Sequence, residues 1–126
     1  MSSKKMSGLA NRQEFLNKLK NSSEVDITVT GRRTKKRFST PVWFVLDGEK
    51  IMLLPTHSSH NDWFKNLVRD QRIELSVKGT VVNSKAKLVR DSEEAQRVLD
   101  MLRAKYRSMW SDSYYAKPEV CVEVPL

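Results

Sequence analysis

Apolar and polar residues alternate over several short stretches, each the length of a strand. Val25, Ile27 and Val29 alternate with Asp26, Thr28 and Thr30, the period of a half-buried strand. Ile73, Leu75 and Val77 do the same against Glu74 and Ser76 over Arg72–Lys78, and Val120, Val122 and Val124 form a last strand closed by Pro125. Phe38–Leu46 is rich in aromatic and β-branched residues and reads as a second strand, with Pro41 marking an edge or bulge. Asp47-Gly48 is a hairpin turn signal, and Lys50–Leu54 is the returning strand. Gly79 turns the chain from the Arg72–Lys78 strand into another, Thr80–Val89.

Helical spacing occurs in three places. Phe15, Leu16 and Leu19 predict a helix from about Arg12 to Asn21, with Asn11 and Glu14 as a variant capping box. After the polar loop Thr56–Asn61, Trp63, Phe64 and Leu67 share a face as far as Asp70, with Ser59 and Asp62 spaced as a cap. Asp91-Ser92-Glu93-Glu94 opens a third helix with acids in its first turn, which the helix dipole favours. Its apolar stripe is Ala95, Val98, Leu99, Leu102 and Tyr106. The order is helix, three strands, helix, two strands, helix, strand. Six short strands in so small a chain leave few open edges if they close into a barrel. The predicted class is α+β, a six-stranded antiparallel barrel with flanking helices, and not the alternating βαβ of a parallel sheet.

The length, 126 residues, suits one domain. Residues 1–10 read as a flexible tail and residues 11–126 as the domain. The charge of +8 favours an anionic partner, whether nucleic acid, lipid or a phosphorylated small molecule. Cys121 is the only cysteine, which excludes an internal disulfide and a multi-cysteine metal site and fits a cytoplasmic protein. The polar N-terminus lacks the apolar segment of a signal peptide, and no apolar run is long enough to span a bilayer.

Three groupings carry candidate chemistry. Gly31-Arg32-Arg33-Thr34-Lys35-Lys36-Arg37 places five cations in seven residues between two strands. Arg forks bind phosphate bidentately and Lys adds point charge; Ser39 and Thr40 add hydroxyls. The same residues also read as a solvated hairpin tip or as a nucleic-acid grip. Thr56-His57-Ser58-Ser59-His60-Asn61-Asp62-Trp63 leads into a helix start that favours an anion. His57 and His60 lack a third ligand nearby, so zinc is rejected. The aromatic residues Trp43, Trp63, Phe64, Tyr106, Trp110, Tyr114 and Tyr115 are mainly core material, but the polar residues between Trp110 and Tyr115 suit a pocket beside a planar ring. No nucleophile elbow, Walker loop or G-x-G-x-x-G is present. If the chain is an enzyme, a cofactor therefore carries the hard chemistry.

These residues resemble the family of deazaflavin-dependent nitroreductases and quinone reductases. The likeness lies in Thr30-Gly31-Arg32-Arg33-Thr34, in Thr40-Pro41-Val42-Trp43-Phe44-Val45 and in Asp47-Gly48. It continues in Asp62-Trp63-Phe64-Lys65-Asn66-Leu67, in Arg72–Val77, and in Lys105-Tyr106, Tyr114-Tyr115 and Val120–Val124. The resemblance implies a split β-barrel of the pyridoxamine-phosphate-oxidase-like type and a phosphorylated 5-deazaflavin coenzyme, F-420, with FMN as the alternative. It implies an oxidoreductase that passes a hydride to a quinone, nitro compound or similar small acceptor. An FMN-binding flavin reductase, a non-catalytic flavin binder and a basic nucleic-acid module are the competing readings. The cofactor residues it implies are Arg32, Arg33, Thr34, Arg37, Thr40, Pro41, Trp43, Thr56, His57, Ser58, Ser59, Trp63 and Asn66. Tyr114 and Tyr115 are implied on the substrate side, and a homodimer is the implied assembly.

The chain departs from the family pattern in three places. Lys35 stands where many members have glycine, Phe38 where they have arginine, and Ser58-Ser59 replace a glycine pair in a shorter loop. Arg37 lies one residue from the family's arginine, and a one-residue shift along a strand turns a side chain to the other face.

Overall fold

The computed structural model describes residues 12–56, 58–111, 115 and 117–126. The proposed tail and Asn11 of the first cap lie outside the described residues. Helix α1 occupies residues 12–20 and buries Phe15 and Leu19. The strands that follow are β1 (Val25–Thr30), β2 (Arg37–Val42), β3 (Val45–Asp47) and β4 (Lys50–Leu53). After α2 (Asp62–Arg69) come β5 (Arg72–Val77), β6 (Thr80–Lys85) and β7 (Lys87–Val89). Helix α3 (Ser92–Lys105) and β8 (Cys121–Pro125) complete the chain.

The strands form two four-stranded antiparallel sheets, ordered β2-β1-β5-β6 and β3-β4-β8-β7. The α+β class holds, but the expected six-stranded barrel is corrected to these two sheets. Two of the expected strands are each divided at a corner. Phe38–Leu46 breaks at Trp43-Phe44, so β2 lies in one sheet and β3 in the other. Thr80–Val89 breaks at Ala86, with the same consequence for β6 and β7.

A corner removes backbone groups from both ladders, and buried ones need other partners. At the first corner the Tyr106 hydroxyl accepts from the Phe44 N–H at 3.1 Å, and the Lys105 ammonium donates to the Phe44 carbonyl at 2.8 Å. At the second, the Ala86 N–H donates to the Gln71 carbonyl at 2.7 Å.

The inward residues of both sheets make one core. Ile27, Leu75, Ile51, Val122 and Val124 belong to it, joined by Phe15 of α1 and Phe64 and Leu67 of α2. A second core lies where Ala95, Val98, Leu99 and Leu102 of α3 cover Val45, Met52 and Cys121. Burial pushes the Cys121 thiol up to about 11, so it packs as an inert apolar residue. Among the described residues, no helix is long and apolar enough to cross a membrane.

The start of α2 differs from the expected cap. Ser58–His60 form a 3-10 turn, and Asn61 is the N-cap, its side chain accepting from the Phe64 N–H at 3.2 Å. Asn is among the strongest N-cap residues. At α3, Asp91 caps by accepting from the Glu93 N–H at 3.0 Å.

Candidate functional site

The basic turn between β1 and β2 is held by its own backbone. The Gly31 N–H donates to the Lys36 carbonyl at 2.7 Å, and the Lys35 N–H donates back to the Gly31 carbonyl at 3.1 Å. Lys35 takes the left-handed conformation at φ 63°, which glycine adopts more easily than any L residue. Gly31 is buried, and a Cβ there would lie 2.5 Å from the Phe38 ring. The glycine therefore lets the ring of β2 close down on the root of the turn.

This turn faces α2. Asn66, buried on α2, accepts through Oδ1 from both the Arg32 backbone N–H at 3.1 Å and the Arg32 Nη1 at 2.8 Å. Two donors on one oxygen fix the amide orientation, so the Asn66 Nδ2 turns away from Arg32. Asp62 Oδ1 lies 3.6 Å from the Arg32 Nη2. It is a solvent-exposed partner and contributes little.

Between turn and helix lies a hollow of about 430 Å³. Arg32, Arg33 and Thr34 line it from the turn, Val29, Phe38 and Thr40 from the sheet, and Trp63 and Asn66 from α2. A second hollow of about 350 Å³ shares Thr40 and Trp63 with the first. Pro41, Trp43, Thr56 and Tyr115 line it, together with Glu24, Val42, Leu54 and Asn61. Trp63 thus stands between a cationic chamber and an aromatic one. Behind the wall of the second chamber, Trp43 stacks on the buried Tyr106 with centroids 4.3 Å apart and planes 5° apart. Tyr115 stacks on Trp110 at 5.5 Å, and burial raises its hydroxyl to about 12.

Of the residues singled out from the sequence, the fold brings Arg32, Arg33, Thr34, Thr40, Trp63 and Asn66 to the first hollow and Pro41, Trp43, Thr56 and Tyr115 to the second. Ser59 is half-buried in the 3-10 turn before α2 and lines neither hollow. His57, the Ser58 side chain and Tyr114 lie outside the described residues. Arg37 is not brought to this site. It pairs in register with Thr30, and its Nη2 lies 3.4 Å from Glu74 Oε1. Side chains at neighbouring strand positions face opposite ways. Arg37 accordingly lines a separate hollow with Lys35, Arg72 and Glu74, while Phe38 faces the first one.

The sequence reading missed Glu24, Val29, Val42 and Leu54 as lining residues. It also gave Phe38 no part in the site, and it read Tyr106 as part of an apolar stripe and of a mainly core aromatic set. The alternation of β1, which buries Val29, was the available signal for that residue; nothing local marks the others.

The donor set suits a planar molecule bearing phosphate. Two arginines and a threonine line the first hollow together with the apolar Val29 and Phe38 and the indole of Trp63. The volumes fall within the range of small-molecule sites, roughly 300–1,000 Å³. By this observation the residues present fit a phosphorylated flavin-like coenzyme.

Comparison with known proteins agrees with that fit. A provisionally named 5-nitroimidazole antibiotic resistance protein from Bacteroides thetaiotaomicron is similar in structure at TM-score 0.68 and 14% identity, over 90% of this chain and 78% of that one. A provisionally named pyridoxamine 5'-phosphate oxidase from Listeria innocua is similar at TM-score 0.65 and 12% identity, over 90% of each chain. An F-420-H2 dependent reductase is similar at TM-score 0.60 and 15% identity, over 81% of this chain and 93% of that one. These likenesses establish the split-barrel fold. No curated protein matches the sequence. The sequence profile described as F-420H(2)-dependent quinone reductase does match, over residues 10–125. With nearly the whole chain covered, the protein belongs to the F-420H(2)-dependent quinone reductase family, in which F-420 is the favoured coenzyme.

Proposed function

We propose that this protein is an oxidoreductase that uses reduced F-420 to reduce a quinone, nitro compound or similar small acceptor. The observation that carries the proposal is the convergence of Arg32, Arg33 and Thr34 with Trp63 on one hollow. The family match and the neighbouring F-420-dependent reductase support it. The neighbour named as a pyridoxamine 5'-phosphate oxidase keeps FMN as the alternative coenzyme.

In this reading Arg33, at the exposed rim, and Arg32, held by Asn66, bind the phosphate-bearing arm. Val29, Phe38 and Trp63 exclude water and set the plane of the ring. Reduced F-420, when bound, supplies a hydride to the acceptor, and solvent supplies the proton that completes the two-electron reduction. Trp63 and Trp43 would hold the acceptor flat in the second hollow, which adjoins the first through Thr40 and Trp63. Tyr115, like any tyrosine, keeps its proton at neutral pH, and burial raises its hydroxyl further, to about 12. It donates that O–H to an acceptor oxygen as charge develops there.

The test is titration of the purified protein with F-420 and with FMN, followed by coenzyme absorbance and tryptophan fluorescence. Saturable binding of F-420 at tens of micromolar or tighter is expected. If neither coenzyme binds in that range, the proposal fails. Arg33→Ala is expected to weaken coenzyme binding about tenfold, the scale of one charge-assisted contact. Arg37→Ala, which loses only a pair with Glu74 on the other face, is expected to change it less than twofold. An equal loss in the two variants would show that the turn acts by bulk charge and not by contact.

A further inference from the structure

The two hollows differ in charge. The first carries Arg32 and Arg33. In the second, Glu24 is the only Asp, Glu, Lys or Arg among the described lining residues. The rest of that lining is aromatic, aliphatic or neutral polar. A net charge of +8 draws anions toward the molecule as a whole. A carboxylate at the mouth of this hollow reverses that preference locally. Glu24 is exposed in the short connection between α1 and β1, outside both cores, so packing does not account for its charge.

We infer that the second hollow is an acceptor site for flat molecules without negative charge, and that Glu24 is the residue that sets this specificity. The inference rests on the coenzyme occupying the first hollow. A carboxylate about 6 Å from an anionic substituent, in the intermediate dielectric of a protein surface, disfavours it about tenfold. Neutral quinones and nitroaromatics escape this penalty, and cationic acceptors gain from the same charge. Sulfonated or carboxylated acceptors are turned away, although the overall charge of the protein attracts them.

The test uses two naphthoquinones, 2-methyl-1,4-naphthoquinone and its 3-sulfonate, which is anionic at any working pH. Their affinities for the full-length protein are read at low ionic strength from quenching of tryptophan fluorescence, since Trp43 and Trp63 line the hollow. The ratio of the two affinities is compared among the wild type, Glu24→Gln and Asp26→Asn. The comparison across variants cancels the intrinsic difference between the quinones. Asp26 is a matched control: it is exposed, carries the same charge, lies two residues away and does not line the hollow.

The wild type is expected to favour the neutral quinone about tenfold, Glu24→Gln to lose most of that ratio, and Asp26→Asn to keep it within twofold. An unchanged ratio in Glu24→Gln overturns the inference. So does an equal fall in Asp26→Asn, or failure of both quinones to quench. A parallel titration with F-420 separates the two readings. Coenzyme binding without the Glu24 effect removes this inference alone. The Glu24 effect without coenzyme binding removes the proposed function and leaves a selective aromatic site.

Discussion

Asn66→Asp leaves the protein as stable as the wild type or more so, yet weakens its coenzyme binding by about 10–100-fold. The two effects have one geometric origin. Asn66 Oδ1 accepts from the backbone N–H and from Nη1 of Arg32. A carboxylate in its place accepts the same two bonds, now charge-assisted and stronger, so the turn stays docked on α2. The added charge, however, sits beside the guanidinium that the phosphate needs. It offsets the charge of Arg32, and it puts an acceptor where the Nδ2 donor was. A negative charge about 5 Å from a phosphate at surface dielectric accounts for a loss of that size. Asn66→Ala separates the roles differently. It leaves the partly buried Arg32 N–H without its partner, so stability falls by about 1–2 kcal/mol, and Arg32 loses its fixed direction, so binding weakens about tenfold. Thermal melting and F-420 titration of both variants measure this. If Asn66→Asp binds coenzyme like the wild type, Arg32 does not serve the phosphate.

Most of the secondary structure was legible because its signals are local. Period-2 alternation marked β1 and β5, whose inward residues Val25, Ile27, Ile73 and Leu75 are all buried. Helical spacing marked all three helices. The sheet corners were not legible. Apolar and β-branched residues run on through Trp43, Phe44 and Val45, and again through Leu88 and Val89 after Ala86. Composition records that such segments are buried, not which sheet they join. What makes each corner possible is a partner beyond local reach: Tyr106 is 62 residues from Phe44, and Gln71 precedes β5 while Ala86 follows β6. The cap of α2 failed for a related reason. Ser59, Asn61 and Asp62 are all credible cap residues, and the 3-10 turn that decides for Asn61 leaves no strong local mark.

In the site, the basic turn was visible because five cations behind a glycine are unusual in composition alone. Their directions were not. The register of β1 with β2 sends Arg37 to Glu74 and Phe38 toward the first hollow. One residue of slip would exchange them. Asn66 was found through resemblance to a family helix. Its bond to Arg32 spans 34 residues and has no local pattern. Glu24 had no signal, because a single acid before a strand is ordinary until Trp43 and Trp63 are brought near it.

Tyr106→Phe is expected to lower stability by about 2–3 kcal/mol, and melting temperature by roughly 5–10 °C, without opening a cavity. The hydroxyl accepts from the Phe44 N–H at 3.1 Å and lies 2.8 Å from the Ser23 carbonyl and 3.0 Å from the Phe44 carbonyl. It joins the end of α3 to the corner between the sheets and to the approach to β1. Removing it leaves the N–H of a fully buried residue without its partner, which costs more than a net hydrogen bond contributes. The Phe44 carbonyl keeps the Lys105 ammonium, so the loss falls on the N–H. The ring still stacks on Trp43, so the apolar contribution is preserved. Alkaline pH gives a second reading of the same atom. Burial, the largest cause, raises the Tyr106 hydroxyl from 10.0 to about 12. Between those values the unfolded chain releases this proton before the folded one does, so wild-type stability falls as pH rises from 10 to 12. Phenylalanine has no proton to release. The stability gap between wild type and Tyr106→Phe should therefore narrow by about 1 kcal/mol between pH 8 and pH 11. Burial raises the Cys121 thiol and lowers the Lys105 ammonium to about 8 in both proteins, so their contributions cancel in the difference, whereas the part of the Tyr115 shift that comes from an ionised Tyr106 belongs to the Tyr106 effect. Urea denaturation of the two proteins at the two pH values decides the matter. A gap well under about 1 kcal/mol at pH 8 would mean that the hydroxyl does not carry the Phe44 corner, and a gap that stays constant or widens with pH would mean that folding does not raise it.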